Sequence, residues 1–384
     1  MKKRVLAILI SLLLLFSAFA PVAGAEGDVA RVKNVILLIG DGMGPNNLEW
    51  TKSIRNVSLY MDKLPYQGYS KTNSYSGTTD SAAGGTALSS GHRTFNSNLG
   101  EMGFQIAEMD VLIAKFMNTC EVAKAVGKRA GILTSDSNSG ATPASFSSHT
   151  ADRGSSDDIT NQQLASNIDL IWAEENGLVD KKVANENNWK FVSNLADAKA
   201  LPANSKSFGV FKEEIQYGSA DSDAATLSKL TTLAIKQLDC EEGFFLMVEG
   251  AHIDKNSHSN DEKHMMDALI EFDKAVGNAL EFAKKDGETL VIVTADHETG
   301  KITKQNDGTY KYTKSGHSST DVPLRVYGSD KLIKNGQTIK NFNISRFTAE
   351  QLGYTEKYPV VEFNYFFIPD LFKTLGLAFV GLFK

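Results

Sequence analysis

Four short apolar runs, Val35–Ile39, Ala130–Thr134, Phe244–Val248 and Leu290–Thr294, constrain the fold of this chain most. None alternates apolar with polar residues, so neither face of such a strand can meet water, and each must be covered on both sides. Leu324–Tyr327 is a weaker fifth strand. Between the runs lie segments of helical character. Met265 or Met266, Leu269, Phe272, Val276, Leu280 and Ala283 recur at helical spacing, Lys284 and Lys285 sit in the last turn, and Gly287 follows as a stop. Helical stretches are also expected from about Ile113 to Val126 and around Leu164 to Glu175, with residues 155–240 forming one flank of the sheet. Strands alternating with helices predict an α/β chain: a three-layer α/β/α sandwich around a large, mostly parallel central sheet.

Polar motifs follow the C-terminal ends of these strands: Asp41 after the first, a Thr142 loop after the second, Glu249 to His258 after the third and Asp296-His297 after the fourth. Ligand sites of open α/β sheets lie at those ends, so the motifs are expected to converge. Asp254 and His258 are four apart, which on a helix puts both on one face, able to hold one metal ion. Asp296 and His297 would diverge on a strand but can converge in the turn beyond it. In Thr78–Ala87, Asp80 reads as a helix N-cap and Ser81 as the first turn of a small-residue helix. Free backbone N–H groups and the positive end of the helix dipole beside Ser81 suit an anion such as a phosphoryl group. Taken alone, the same stretch reads better as a simple helix cap; the metal-ligand motifs elsewhere favour the anion site.

The N-terminus has a different character. Lys2-Lys3-Arg4, an apolar run from Val5 to Ala20 and the small residues Ala23-Gly24-Ala25 read as a secretory signal peptide cut after Ala25, residues 1–25, and imply a secreted or periplasmic protein. The formal net charge of the 384-residue chain is −6, and cleavage would remove three basic residues. That balance argues against nucleic acid as the main partner. The two cysteines, Cys120 and Cys240, could pair after export or remain thiols. The apolar segment Asp370–Lys384 is too short to span a bilayer, which takes about 20 residues; packing on the sheet is expected, and no stable membrane span after signal cleavage.

Asp41-Gly42-Met43-Gly44, Asp80-Ser81-Ala82-Ala83, Val248-Glu249-Gly250-Ala251-His252-Ile253-Asp254-Lys255, Thr294-Ala295-Asp296-His297-Glu298 and Gly316-His317 occur in this order. Together they resemble the alkaline phosphatases from about Asn34 to Tyr327, and five ordered motifs are far more specific than any one. The resemblance implies a single catalytic domain over 26–384 that hydrolyses small phosphate monoesters through a phosphoserine intermediate on Ser81. It implies two Zn2+ ions, one held by Asp254, His258 and His317, the other by Asp41, Asp296 and His297. It implies that Arg153, eleven residues after Thr142, grips the phosphoryl oxygens, for which a planar guanidinium fork is suited. Lys255 is expected as a cation near the bound phosphate. His92, His252 and His264 match no family role.

This chain also departs from the family pattern. A Mg2+ site is implied at Asp41, Thr142 and Glu249, with a further acidic or His residue two before Thr142; here that residue is Gly140. Glycine offers no side-chain ligand, so a weak magnesium site is expected. The segment at about 298–316, where many members insert a longer crown, is short, which implies an open cleft, broad substrate range and a reduced dimer interface. A homodimer is the family expectation, a monomer the alternative. A phosphodiesterase or specialised nucleotide phosphatase of the same superfamily, or a non-catalytic phosphate- or metal-binding protein, are the rival readings.

Overall fold

A computed structural model describes residues 32–106 and 109–356 of the chain; the signal-peptide segment and the apolar C-terminal segment lie outside these residues. Ten strands form one sheet: β1 (Asn34–Gly40), β2 (Tyr66–Lys71), β3 (Arg129–Ser137), β4 (Leu170–Glu174), β5 (Lys190–Val192), β6 (Ser207–Phe211), β7 (Phe244–Gly250), β8 (Thr289–Thr294), β9 (Val322–Tyr327) and β10 (Thr338–Lys340). Their spatial order is β10-β2-β9-β8-β1-β7-β3-β4-β6-β5. Every pairing is parallel except those of β9 with β8 and with β2. The expected three-layer, mostly parallel architecture is therefore the observed one, with the weak fifth strand running against the rest.

The unbroken apolar runs are explained by the two cores. Ile36 and Leu38 of β1, Leu246 and Val248 of β7, and Val291 and Val293 of β8 face one core. Their alternating neighbours Val35, Leu37, Ile39, Phe245, Met247, Leu290 and Ile292 face the other. The first core is closed by α5 (Leu227–Leu238) and by the long α7 (Glu262–Asp286). The second is closed by α3 (Thr119–Ala125) and α8 (Phe342–Leu352). The other helices that bear on function are α1 (Pro45–Arg55), α2 (Ser81–Ser90), α4 (Ala141–Ser145) and α6 (His252–His258). α7 ends at Gly287, whose φ of +78° makes it the left-handed cap expected of that glycine.

Two expected helices are corrected. The stretch Ile113–Val126 is a strand, Met109–Lys115, paired antiparallel with Glu101–Ile106, and then α3. The β-branched Ile113 suits the hairpin, and Asn118 with Glu121 makes a capping box that starts the helix only there. The stretch Leu164–Glu175 is the end of a helix, Ser156–Ala165, followed by buried strand β4. Ile171 and Trp172 face opposite cores in β4, a burial pattern that period alone does not separate from a helix. Residues 155–240 thus supply three strands at one side of the sheet, with β5 at its edge, as well as flanking helices. Cys120 is buried and Cys240 half-buried, and both are free thiols. Among the described residues no helix is long and apolar enough to cross a membrane.

Candidate metal centre

Strand register brings the acidic motifs together. Ile39 of β1 pairs with Thr294 of β8 on one side and with Glu249 of β7 on the other, and Glu249 pairs in turn with Thr134 of β3. Asp41, Asp296 and Glu249 therefore leave three adjacent strands at the same level, at the carboxyl edge of the sheet. The turn after β1 needs Gly42: its φ is +70°, and a Cβ there would fall 2.8 Å from Asp254 Cα. Its backbone N–H instead reaches Asp296 Oδ1 at 3.3 Å.

Two ligand clusters result. In the first, on α6 and the short strand at His317, Asp254 and His258 do share one helical face. His258 Nε2 lies 3.4 Å from Asp254 Oδ2, and His317 Nε2 lies 3.8 Å from Asp254 Oδ1. The Nδ1 atoms of His258 and His317 point at backbone carbonyls, of Ser315 at 2.6 Å and Thr79 at 2.9 Å. A carbonyl can only accept, so each Nδ1 carries the proton and each Nε2 presents a lone pair. Those two Nε2 atoms are 3.0 Å apart. With the Asp254 carboxylate, two Nε2 atoms that converge in this way form a donor set able to share one cation.

The second cluster is fully interior. His297 Nε2 lies 3.4 Å from Asp41 Oδ1 and 3.2 Å from Asp296 Oδ2. Asp41 Oδ1 and Asp296 Oδ2 are buried without a hydrogen-bond partner among the described residues. Burial pushes the Asp41 carboxyl well above its usual range, and the neighbouring Asp296, Asp254 and Glu249 carboxylates push it further. Burial likewise raises Asp296, and holds His297 neutral with a pKa of about 3. Orphaned carboxylate oxygens beside a neutral imidazole are a donor set matched to a divalent cation. Thr299 ties the clusters together, donating its hydroxyl to Asp254 Oδ1 while its oxygen lies 3.3 Å from His297 Nδ1. The His297 and His317 rings stack with centroids 3.6 Å apart.

Ser81 sits where the sequence places it, as the first residue of α2, and is buried. Its Oγ is 3.1 Å from His297 Nε2. Asp80 caps the helix, Oδ1 accepting from the Ala83 N–H at 2.9 Å. Its other oxygen accepts from Ser97 N at 2.9 Å and from Arg153 Nη1 at 3.1 Å. Asp80 thus aims Arg153 as well as starting the helix, a second role that the N-cap pattern alone does not reveal. Glu249, whose charge also acts on Asp41, lies beside Thr142. Glu249 Oε2 accepts from the Thr134 hydroxyl, whereas Glu249 Oε1 has no partner. Thr142 Oγ1 faces that carboxylate without a well-formed bond. Burial, and then the charge of Asp136, raise the Glu249 pKa to about 8. Lys255 Nζ binds Asp136 Oδ1 at 2.6 Å. Burial would lower its pKa, but Asp136 outweighs that and holds it above the ordinary lysine value.

Asp136, Asp80's link to Arg153, and Thr299 escape sequence reasoning. Each is a polar residue near a motif whose partner is distant in the chain. His92, His252 and His264 are structural: His92 stacks on Phe116, His252 lies 3.3 Å from Glu174 and His264 pairs with Asp261 at 2.6 Å. Thr134 to Ser137, at the end of β3, is the one place where an acidic residue beside a strand end could have been picked out.

The fold and the two clusters define an α/β protein with two candidate metal-binding groups beside a buried serine. The family model for alkaline phosphatases matches residues 32–174 and 171–350, and the chain belongs to the alkaline phosphatase family. It is 32% identical to alkaline phosphatase 4 of Bacillus subtilis over 66% of this chain and 58% of that protein. It is 31% identical to the Escherichia coli alkaline phosphatase over 65% of this chain and 66% of that protein. The structure of alkaline phosphatase from the Antarctic bacterium TAB5 superposes with a TM-score of 0.71 at 28% identity, covering 85% of this chain and 100% of that one. A variant of the TAB5 enzyme is known with Mg bound in one of its metal sites. The chain spans a little over half the length of the Bacillus subtilis relative.

Proposed function

We propose that this chain is an exported, metal-dependent phosphatase that hydrolyses phosphate monoesters through a phosphoserine on Ser81, with Zn2+ in both clusters and Mg2+ beside Glu249 and Thr142. The observation that carries this reading is the Ser81 hydroxyl, buried at a helix start, 3.1 Å from the neutral His297 of the interior cluster. Two divalent cations at such clusters favour ionisation of a hydroxyl nucleophile and neutralise charge on the attacking and leaving oxygens of an in-line displacement.

The protein's own groups do the rest. Asp80 and the small residues of α2 hold Ser81 Oγ toward the clusters, and the free N–H groups of the first turn face the phosphoryl oxygens. Arg153, held by Asp80, closes on two of those oxygens. Ser81 loses its hydroxyl proton to solvent and its Oγ bonds to phosphorus as the ester P–O bond breaks and the alcohol leaves, taking a proton from solvent. Water, losing a proton to solvent, then bonds to phosphorus from the vacated side as the Ser81–phosphorus bond breaks, and Ser81 Oγ regains a proton as inorganic phosphate is released. Contacts confined to the phosphoryl group give little leverage over the leaving group, so broad substrate range follows. Export through residues 1–25 and assembly as a homodimer belong to the same reading.

Turnover of p-nitrophenyl phosphate against bis-p-nitrophenyl phosphate, by the wild type and Ser81→Ala, tests it. The monoester should be strongly preferred, Ser81→Ala should lose several orders of magnitude in kcat, and acid quenching should trap label on Ser81. Preference for the diester, or a Ser81→Ala enzyme that still turns over normally, would overturn it.

A further inference from the structure

The family pattern has a gap at Gly140, yet the space its side chain would occupy is filled. An added Cβ on Gly140 would collide with the carboxylate of Asp136, Oδ2 foremost, well inside van der Waals contact. Asp136 lies at the end of β3, four residues ahead of Gly140 across a turn, and lays its carboxylate over that position. Its Oδ1 is committed to Lys255 Nζ at 2.6 Å and to the Ser137 N–H at 2.7 Å. Its Oδ2 accepts no hydrogen bond from the described residues. Its charge is the strongest of the charges acting on Glu249. Glu249 is fully buried, with Oε1 unpartnered, and Thr142 Oγ1, also buried, has no well-formed bond.

We infer that Asp136 supplies the carboxylate of the third cation site in place of the side chain missing at position 140, and fixes Lys255 beside the same site. This rests on the phosphatase reading above, and it revises the expectation that Gly140 leaves the site weak. With Oδ1 held by Lys255 and the Ser137 N–H, Oδ2 acts on the cation through bound water, as suits magnesium, which keeps much of its hydration shell. The glycine follows from the arrangement: any side chain at 140 would push the Asp136 carboxylate aside.

The test is isothermal titration of MgCl2 into the zinc-loaded, full-length mature enzyme, with zinc content and circular dichroism measured on every variant. Asp136→Asn should weaken Mg2+ binding about tenfold or more while two zinc ions per chain remain. Gly140→Asp alone should not tighten binding, because two side chains then compete for one space. Asp136→Gly combined with Gly140→Asp, which moves the carboxylate to the family's position, should recover most of the lost affinity. The inference is overturned if Asp136→Asn binds Mg2+ as the wild type does, or if Gly140→Asp alone strengthens binding. Should those results come from an enzyme that retains zinc and monoester turnover, the phosphatase reading stands and only the role of Asp136 falls. A wild type that binds no zinc and turns over no monoester would overturn both.

Discussion

Helix α2 places Ser81 by lying against the turn that carries Asp296, and Gly84 is the point of contact. A methyl group on Gly84 would fall 2.9 Å from the Asp296 carbonyl oxygen and 3.1 Å from Asp296 Cβ. Ordinary contact begins near about 3.5 Å, so Gly84→Ala must move the helix and the turn apart by roughly 0.5 Å. Overpacking of this kind costs about 1–3 kcal/mol, and replacing glycine by alanine within a helix returns about 1 kcal/mol. The net loss of stability is therefore modest, about 0–2 kcal/mol. Function is hit harder, because the displacement separates Ser81 from the cluster it faces. A misplacement of about 1 Å at a reacting centre can cost on the order of 100-fold, so half of that should lower kcat on the order of tenfold. Gly287→Ala is the control: with φ +78° and nothing near its added methyl, it should cost about 1–2 kcal/mol through backbone strain alone and leave kcat unchanged. Urea unfolding and p-nitrophenyl phosphate kinetics on the two variants decide the matter. If Gly84→Ala loses stability but keeps the wild-type kcat, the helix–turn contact does not position the serine.

Chelation should abolish turnover, and Zn2+ should restore it. Because the clusters bring carboxylates together that are costly to ionise without a cation, each zinc site should add about 4 kcal/mol at a thousandfold excess over its Kd; equal melting temperatures with and without chelator would contradict this. Asp273 offers a pH test away from the metals. Burial raises its pKa to about 6, although it accepts backbone N–H groups from Tyr60 and Met61. Between about pH 4 and 6 the folded chain holds a proton that the unfolded chain has released, so this group's contribution falls as pH rises through that window and is level above it. In chelator, the stability of Asp273→Asn relative to wild type should improve by about 3 kcal/mol from pH 4 to pH 7; a pH-independent difference in urea unfolding would refute it.

The sequence by itself determined the layers and the level of the site. Unbroken apolar runs such as Val35–Ile39, too short for core helices and closed by turn residues, read as strands covered on both faces, and in a parallel sheet the acidic residues that end them lie along one edge. Local chemistry also marked Asp80 as a cap and Gly287 as a stop, because each acts within a turn of itself. Period failed where one burial pattern serves two structures: β4 buries Leu170, Ile171 and Trp172 in succession, as a core helix also could. Tertiary structure alone decided which partners meet. The shared face of Asp254 and His258 was visible, but the 3.0 Å approach of His258 to His317 depends on packing between segments far apart in the chain. Arg153's tie to Asp80 and the Asp136 carboxylate over Gly140 depend on it as well. Spacing governs what one turn of backbone can reach; once the chain doubles back, proximity is set by how the layers pack.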